Sequence, residues 1–162
     1  MTLRILSVLS GAGFTFETEK LLEPLADKAS FIVLNTWFGG RLDEHRFNMA
    51  EYISVPSFPT VTQPSRMQAV RAFWQTYRIA LRAFESHRPD LAVVVGCSHA
   101  VPVFLAARRT GVATVFVESI TRCDQLSLTG KLVRALRLTD LFIVQWPELQ
   151  KHYPGAQLGS IL

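Results

Sequence analysis

The sequence predicts an α/β fold, a Rossmann-like parallel sheet with helices on both faces. Two observations carry that prediction. Short runs of valine, leucine and isoleucine recur along the chain, separated by segments whose apolar residues follow helical spacing. The runs are continuous rather than alternating, as in Leu91–Val95 (LAVVV), which is the pattern of strands covered on both faces. A third observation agrees: a glycine turn joins the first run directly to the first helical segment, where such sheets hold ligands.

Taken in order, Leu3–Leu9 is the first strand and Thr15–Asp27 the first helix. Phe31–Leu34 and Tyr52–Val55 are further short strands, with Asn35–Ala50 as a long polar loop between them. Ser65–Arg88 is the clearest helix. Met67, Val70, Trp74, Tyr77, Leu81 and Phe84 recur at spacings of three and four, and Arg71, Arg78 and Arg82 are expected on the opposite stripe. Pro89 stops this helix, and Asp90 opens the strand Leu91–Val95. Val101–Thr110 is a helix, Val112–Val117 a strand, Leu126–Leu138 a helix and Leu141–Gln145 a strand. Pro147–His152 forms one more helical turn. No internal repeat or low-complexity segment interrupts this order.

With 162 residues, 49% of them hydrophobic and 19% charged, the chain can bury a core and is not a disordered polymer. No apolar run approaches the roughly 18 residues that span a bilayer. The opening MTLRILSVLSGAG resembles a signal peptide in composition, but it runs straight into a glycine turn and reads as a buried strand. Cys97 and Cys123 have no metal-ligand spacing and read as reduced thiols. The net charge is +4, and thirteen of the seventeen basic residues are arginine. Residues 1–52 carry five basic against seven acidic side chains, and residues 53–162 carry twelve against six. Such a surface is either plain solvated charge or suits anionic partners: a lipid phosphate, a membrane surface or a nucleic acid. Nucleic acid ranks last, because the arginine stripe of residues 71–82 lacks interleaved exposed aromatics.

Three loops are expected at the C-terminal edge of the sheet: Ser10–Thr15, Gly96–Ala100 and Glu118–Ser127. In Ser10–Glu17 (SGAGFTFE), Gly11 and Gly13 let the backbone and a helix N-terminus approach an anion. Phe16 stands where a dinucleotide fingerprint needs its third glycine, and the second strand ends without an acidic residue, which disfavours an NAD-dependent oxidoreductase. In Gly96–Ala100 (GCSHA), His99 is either a base or phosphate ligand, or a capping residue, and Cys97 reads as packing. In Phe116–Leu132 (FVESITRCDQLSLTGKL), a buried strand ends on Glu118. A carboxylate there must be paired or must bind something. Ser127 or Thr129 is expected to cap the following helix, whose Lys131, Arg134 and Arg137 form a basic face.

Four segments together resemble a known family: RPDLAVVVG, FVESITRCDQLSLTGKL, TDLFIVQWPEL and YPGAQLGSIL. They are similar to the anchor subunit of the two-subunit UDP-N-acetylglucosamine transferase of asparagine-linked glycosylation. They are more similar still to its bacterial counterparts, the PssD-type subunits of capsule and exopolysaccharide transferases. The resemblance covers nearly the whole chain and is weakest over residues 35–65. It implies a single Rossmann-like acceptor-binding domain over residues 1–162, equivalent to the N-terminal half of a GT-B glycosyltransferase of the MurG type. A separate donor-binding subunit would carry the UDP-sugar site, so no metal or cofactor is expected here. Two positions depart from the family pattern. Phe14 replaces the histidine of the first glycine loop, and Val95–Ser98 (VGCS) replaces an NGPG-like turn. The membrane-spanning helix that opens eukaryotic members is not expected here either.

The resulting expectation is a subunit of a heteromeric inverting glycosyltransferase acting on a polyprenyl-diphosphate-linked saccharide. Glu118 and His99 are its candidate bases. Gly11, Gly13, Thr15, Glu17, Gly96, Ser119, Arg122, Ser127 and Lys131 are candidates for holding the acceptor and its phosphates. The resemblance implies that Leu158, Gly159, Ile161 and Leu162 dock the partner; an edge strand is the alternative. The expected location is cytoplasmic, peripheral at the inner face of the plasma membrane. The rival readings are a non-catalytic scaffold that recruits the transferase to the membrane, and an independent Rossmann oxidoreductase.

Overall fold

A computed structural model describes residues 2–47, 50–59 and 64–161. Its centre is a seven-stranded sheet, every pairing parallel. The strands are β1 (Leu3–Leu9), β2 (Ala29–Asn35), β3 (Ala50–Ser54), β4 (Leu91–Val95), β5 (Ala113–Val117), β6 (Leu141–Val144) and β7 (Gln157–Leu158). The helices are α1 (Ala12–Leu22), α2 (Arg66–His87), α3 (Ala100–Thr110), α4 (Leu128–Ala135) and α5 (Pro147–His152). The strand order is β3-β2-β1-β4-β5-β6-β7, so the direction of winding reverses between β1 and β4. Loops leaving these strands at their C-terminal ends therefore flank a crevice.

The strands bury alternate residues on two sides, and two cores result. Leu6, Val8, Ala92, Val94, Phe116 and Phe142 pack with Ala80 and Phe84 of α2, Val103 and Phe104 of α3 and Val133 of α4. Ile5, Leu9, Phe31, Val33 and Val93 pack on the other side with Leu22 of α1 and with Leu42 and Phe47 of the loop after β2. The helices thus cover both faces, as the continuous apolar runs require.

The ends of α2 follow from its sequence. Ser65 is its N-cap and accepts from the Gln68 N–H at 3.3 Å. Arg88 closes it in the left-handed region at φ 46°, just before Pro89. Its orientation about its own axis differs from the sequence expectation. The buried residues are Ala72, Thr76, Ala80, Ala83 and Phe84, whereas Met67, Val70 and Trp74 are exposed. Alanine and threonine let α2 lie close against α3, and the larger apolar residues of its first turns are left outside. The apolar stripe and the arginine stripe are therefore not on opposite faces, and Trp74 is exposed between Arg71 and Arg78, so the expectation that this arginine stripe lacks an interleaved exposed aromatic does not hold. Elsewhere α1 runs Ala12–Leu22 rather than Thr15–Asp27, because Pro24 follows and the chain tightens into a 3-10 turn over Glu23–Leu25, and α4 is shorter than expected at both ends.

No helix among the described residues is long and apolar enough to cross a membrane.

Candidate functional site: a crevice edge held by two buried carboxylates

Loops from β1, β4, β5 and β6 meet at the C-terminal edge of the sheet, and two glutamates bind those of β1, β5 and β6 together. Glu118 ends β5 and is wholly buried. Its Oε1 accepts from the Ser119 N–H at 3.1 Å, and its Oε2 accepts from the Ser127 N–H and the Ser127 hydroxyl, each at 3.0 Å. The same Ser127 Oγ accepts from the Gly130 N–H at 2.9 Å and so caps α4. One carboxylate thus closes loop 119–127 onto its own strand and fixes the start of the next helix. Burial raises the Glu118 pKa above its ordinary value, and the hydrogen bonds from Ser127 and Ser119, with the charge of Arg122, act against that rise.

Glu17 does the same work from the other side of the crevice. It lies on α1 and is buried. Its Oε1 accepts from the Ser119 hydroxyl at 2.7 Å and its Oε2 from the Ile120 N–H at 3.0 Å. Gln145, just past β6, donates to the Glu118 carbonyl at 2.8 Å and reaches Glu17 Oε2 at 3.4 Å. Trp146 donates to the Ile120 carbonyl at 2.6 Å. Loop 119–127 is therefore tied to β1–α1, to β5 and to β6 at once. A loop with this many internal partners is pre-organised rather than waiting for a ligand to order it.

The glycine turn is equally constrained. Gly11 has φ 121°, a value that glycine alone adopts without strain, and a Cβ there would meet the Phe38 carbonyl oxygen at 3.0 Å. Thr15 donates to the Gly39 carbonyl at 2.6 Å, and Asn35 donates to the Gly40 carbonyl at 2.8 Å. The loop after β2 is thereby clamped over the turn, with Trp37 and Phe38 exposed beside it. Gly13 is exposed and has open space around it. Gly96 has φ 53°, and a Cβ there would meet the Phe14 ring at 2.6 Å. Phe14 thus packs its ring against the turn after β4.

His99 is buried, with its ring edge-on to Phe58 at 4.8 Å between centroids. Its Nε2 lies 2.9 Å from the Pro56 carbonyl. A carbonyl only accepts, so the proton sits on Nε2. Nδ1 has no partner among the described residues. Burial lowers the His99 pKa, and the Pro56 carbonyl opposes the shift. Below about pH 6.5 the unfolded chain takes up a proton that folded His99 refuses. Stability is fully present above that pH and falls as the pH drops through the lowered folded value. In a His99→Gln variant the loss of melting temperature between about pH 7.5 and about pH 5.5 is expected to be smaller than in the parent. Equal losses in the two proteins would remove His99 from the acid response.

Cys97 is buried, and its thiol is pushed up to about 11 by burial, against opposing contacts from Ser10 and nearby N–H groups. It is a packing thiol at neutral pH. Arg122 and Lys131 are exposed near the loop, and Lys131 reaches Gln125 at 3.4 Å. Leu158 lies in β7 and is exposed, Gly159 donates to the Val144 carbonyl at 3.0 Å, and Ile161 is half-buried. Leu162 lies outside the described residues. The structure thus brings Glu17, Ser119, Glu118 and Ser127 into one network. His99 is turned toward Pro56 and the segment that follows β3. Five contributors are absent from the sequence-based candidates: Gln145, Trp146, Asn35, Gly39 and Gly130. Gln145, Trp146 and Gly130 carried a signal, since they sit in the VQWPEL and LSLTGKL segments.

The architecture is the Rossmann-like α/β fold of the GT-B glycosyltransferases. MurG of Acinetobacter baumannii superposes with a TM-score of 0.71 at 16% identity, over 96% of this chain and 44% of MurG. The calicheamicin glycosyltransferase CalG4 gives a TM-score of 0.54 at 18% identity, over 84% of this chain and 37% of CalG4. At sequence level, residues 5–162 match the family described as "Oligosaccharide biosynthesis protein Alg14 like", and the chain belongs to that family. Among its relatives, the UDP-N-acetylglucosamine transferase subunit ALG14 of Homo sapiens is 30% identical, over 99% of this chain and 84% of the human protein. The Mus musculus protein of the same name is 39% identical over 56% of this chain and 42% of its own length. The chain therefore spans less than half of the mouse relative and less than half of MurG.

Proposed function

We propose that this chain is the acceptor-side subunit of a two-subunit, inverting glycosyltransferase. The observation that carries the proposal is the family match over residues 5–162, whose relatives are named as subunits of a UDP-N-acetylglucosamine transferase. The complex takes a sugar from a UDP-sugar, UDP-N-acetylglucosamine being the first donor to test, and passes it to a saccharide on a polyprenyl diphosphate. In this reading a base removes the proton of an acceptor hydroxyl, the oxygen attacks the anomeric carbon, and the nucleoside diphosphate leaves. This chain holds the acceptor against its crevice edge, next to the membrane in which the lipid is embedded, and the partner binds the donor.

The geometry supports separate duties for the candidate residues. Glu17 and Glu118 are positioning residues, because their oxygens are taken up by loop 119–127. Gly11 and Gly13 at the start of α1, with exposed Arg122 and Lys131, supply the anion-facing surface. His99 is enclosed and the Glu118 carboxylate is taken up by loop 119–127, so in this reading the partner supplies the base. Exposed Leu158 and the residues after it provide a docking edge.

The test is a transfer assay with a panel of UDP-sugars and a lipid-diphosphate saccharide acceptor. It is run with this chain, with the donor-binding subunit, and with both. Turnover only when both are present is the expected result. Full turnover by this chain alone would overturn the division of labour, and no turnover under any condition would overturn the transferase reading.

A further inference from the structure

We propose that the outer face of α2 docks the protein onto an anionic lipid bilayer; this deepens the peripheral-membrane part of the function proposed above by assigning it to one surface. Three large apolar side chains of α2 are left outside the core: Met67 is 81% exposed, Val70 58% and Trp74 55%. Met67, Arg71, Trp74 and Arg78 are spaced four, three and four residues apart, so they form a single line along the helix. That line spans about 16 Å at the helical rise per residue. It points away from Ala72, Thr76, Ala80 and Ala83, which face α3 and the sheet.

Charge complementarity selects the occupant. From Arg66 to Phe84 the helix carries four arginines and no aspartate or glutamate. Among the described residues none of those arginines forms an ion pair. A hollow of about 480 Å³ lies on this face, lined by Arg71, Trp74, Gln75 and Arg78. Two guanidiniums flanking an indole match a lipid phosphate with an acyl boundary beneath it: arginine takes the phosphate and tryptophan the interface. A helix with cations and large apolar groups on one exposed face is the composition that lies in the plane of a membrane surface. A basic protein surface alone would not require Met67, Val70 and Trp74 to be uncovered.

The placement fits the crevice. The helix joins β3 to the parallel strand β4, so it runs opposite to the strands, and its first turns sit at the edge where loops 10–15, 96–100 and 119–127 leave the sheet. Docking through Met67, Val70 and Trp74 brings that edge to the bilayer surface, where a lipid-linked acceptor presents its headgroup.

The experiment is co-sedimentation of the full chain with vesicles of phosphatidylcholine alone and with vesicles of equimolar phosphatidylcholine and phosphatidylglycerol. The parent is compared with Arg71→Glu/Arg78→Glu, with Trp74→Ser, and with Arg108→Glu/Arg109→Glu, a control of equal charge change on the exposed end of α3. All these positions are exposed, and melting curves confirm folding. Binding to the anionic vesicles is expected to fall on the order of tenfold or more in Arg71→Glu/Arg78→Glu. Trp74→Ser is expected to bind several-fold more weakly, with the deficit persisting at high salt, because its loss is apolar. The α3 control is expected to stay within about twofold of the parent. Equal losses in the two double variants would reduce the effect to net charge and overturn the proposal. So would equal binding to both vesicle types, or loss of the donor-binding subunit by Arg71→Glu/Arg78→Glu with vesicle binding intact. A water-soluble, short-chain acceptor separates this from the transferase reading. Arg71→Glu/Arg78→Glu with its partner is expected to match the parent on the soluble acceptor and to lag on the vesicle-embedded one. A parent inactive on both would sink the transferase assignment and leave the vesicle result standing.

Discussion

Replacing Glu118 with alanine is expected to cost about 3 kcal/mol of stability, because two backbone N–H groups and a hydroxyl lose a buried charged acceptor. For a chain of this size that loss lowers the melting temperature by roughly 6–12 °C. Partner-dependent turnover falls with it, since loop 119–127 loses its anchor to β5. Glu118→Gln keeps one acceptor oxygen and nearly the same shape. It is expected to lose less than half as much stability and to retain most of the turnover at saturating acceptor. A catalytic base behaves differently. Its amide variant would fold normally and lose on the order of 10²-fold or more in turnover. Melting curves and rates on the alanine and glutamine variants therefore separate positioning from proton transfer. A stable glutamine variant without activity would return Glu118 to the chemistry.

The strands were legible because a parallel strand buried on both faces reads as a nearly continuous apolar run, so LRILSVL, LAVVV and LFIV announce themselves without any partner. The boundaries of α2 were equally plain, since a serine cap and an arginine before proline are local signals. Which side of α2 faces inward was not local. Periodicity finds the stripes of a helix, but packing distance to its neighbour decides which stripe is buried. Here α3 approaches closely enough that Ala72, Ala80 and Ala83 fit where Met67 and Trp74 would not. Only the first half of the expected stripe is displaced, since Phe84 is buried and Tyr77 and Leu81 still pack against the core, and the membrane face proposed above is argued from the displaced half.

The site was legible to a similar degree. A carboxylate at the end of a buried strand had to be satisfied, and Ser127 three residues ahead of Gly130 had the spacing of a helix cap. What satisfies Glu118 was therefore close to hand in the chain. The Glu17–Ser119 bond was not, because it joins residues 102 positions apart that meet only once β1 and β5 share a sheet. The clamp of Gly39 over the first turn is hidden for the same reason. A Cβ at Gly39 would lie 1.9 Å from Asn35 Oδ1 and 2.2 Å from the Leu9 carbonyl oxygen, a constraint set by two strands that the sequence does not reveal to be neighbours.

Gly130→Ala sets two effects against each other, and their magnitudes decide the sign. Helix propensity alone favours alanine by about 1 kcal/mol at most, since Gly130 lies in the first turn of α4. A Cβ at this position, however, lies 2.2 Å from Glu118 Oε2 and 3.3 Å from Ser127 Oγ. Neither neighbour has free play: the carboxylate is held by three donors, and the hydroxyl bridges it to the cap. The methyl group must push the carboxylate off Ser127 or lift α4 from the sheet. Either response forfeits charged hydrogen bonds worth more than the propensity gain. The variant is expected to be less stable by about 2–3 kcal/mol, measured by denaturant unfolding. A rise in stability would mean that Gly130 does not press on Glu118. The double variant Glu118→Ala/Gly130→Ala checks the cause. Removing the carboxylate vacates the space that the new methyl needs, so the second substitution adds no further loss and restores part of the propensity gain. Strong coupling of that sign assigns the destabilisation to the contact itself, whereas additive losses would place it elsewhere in α4.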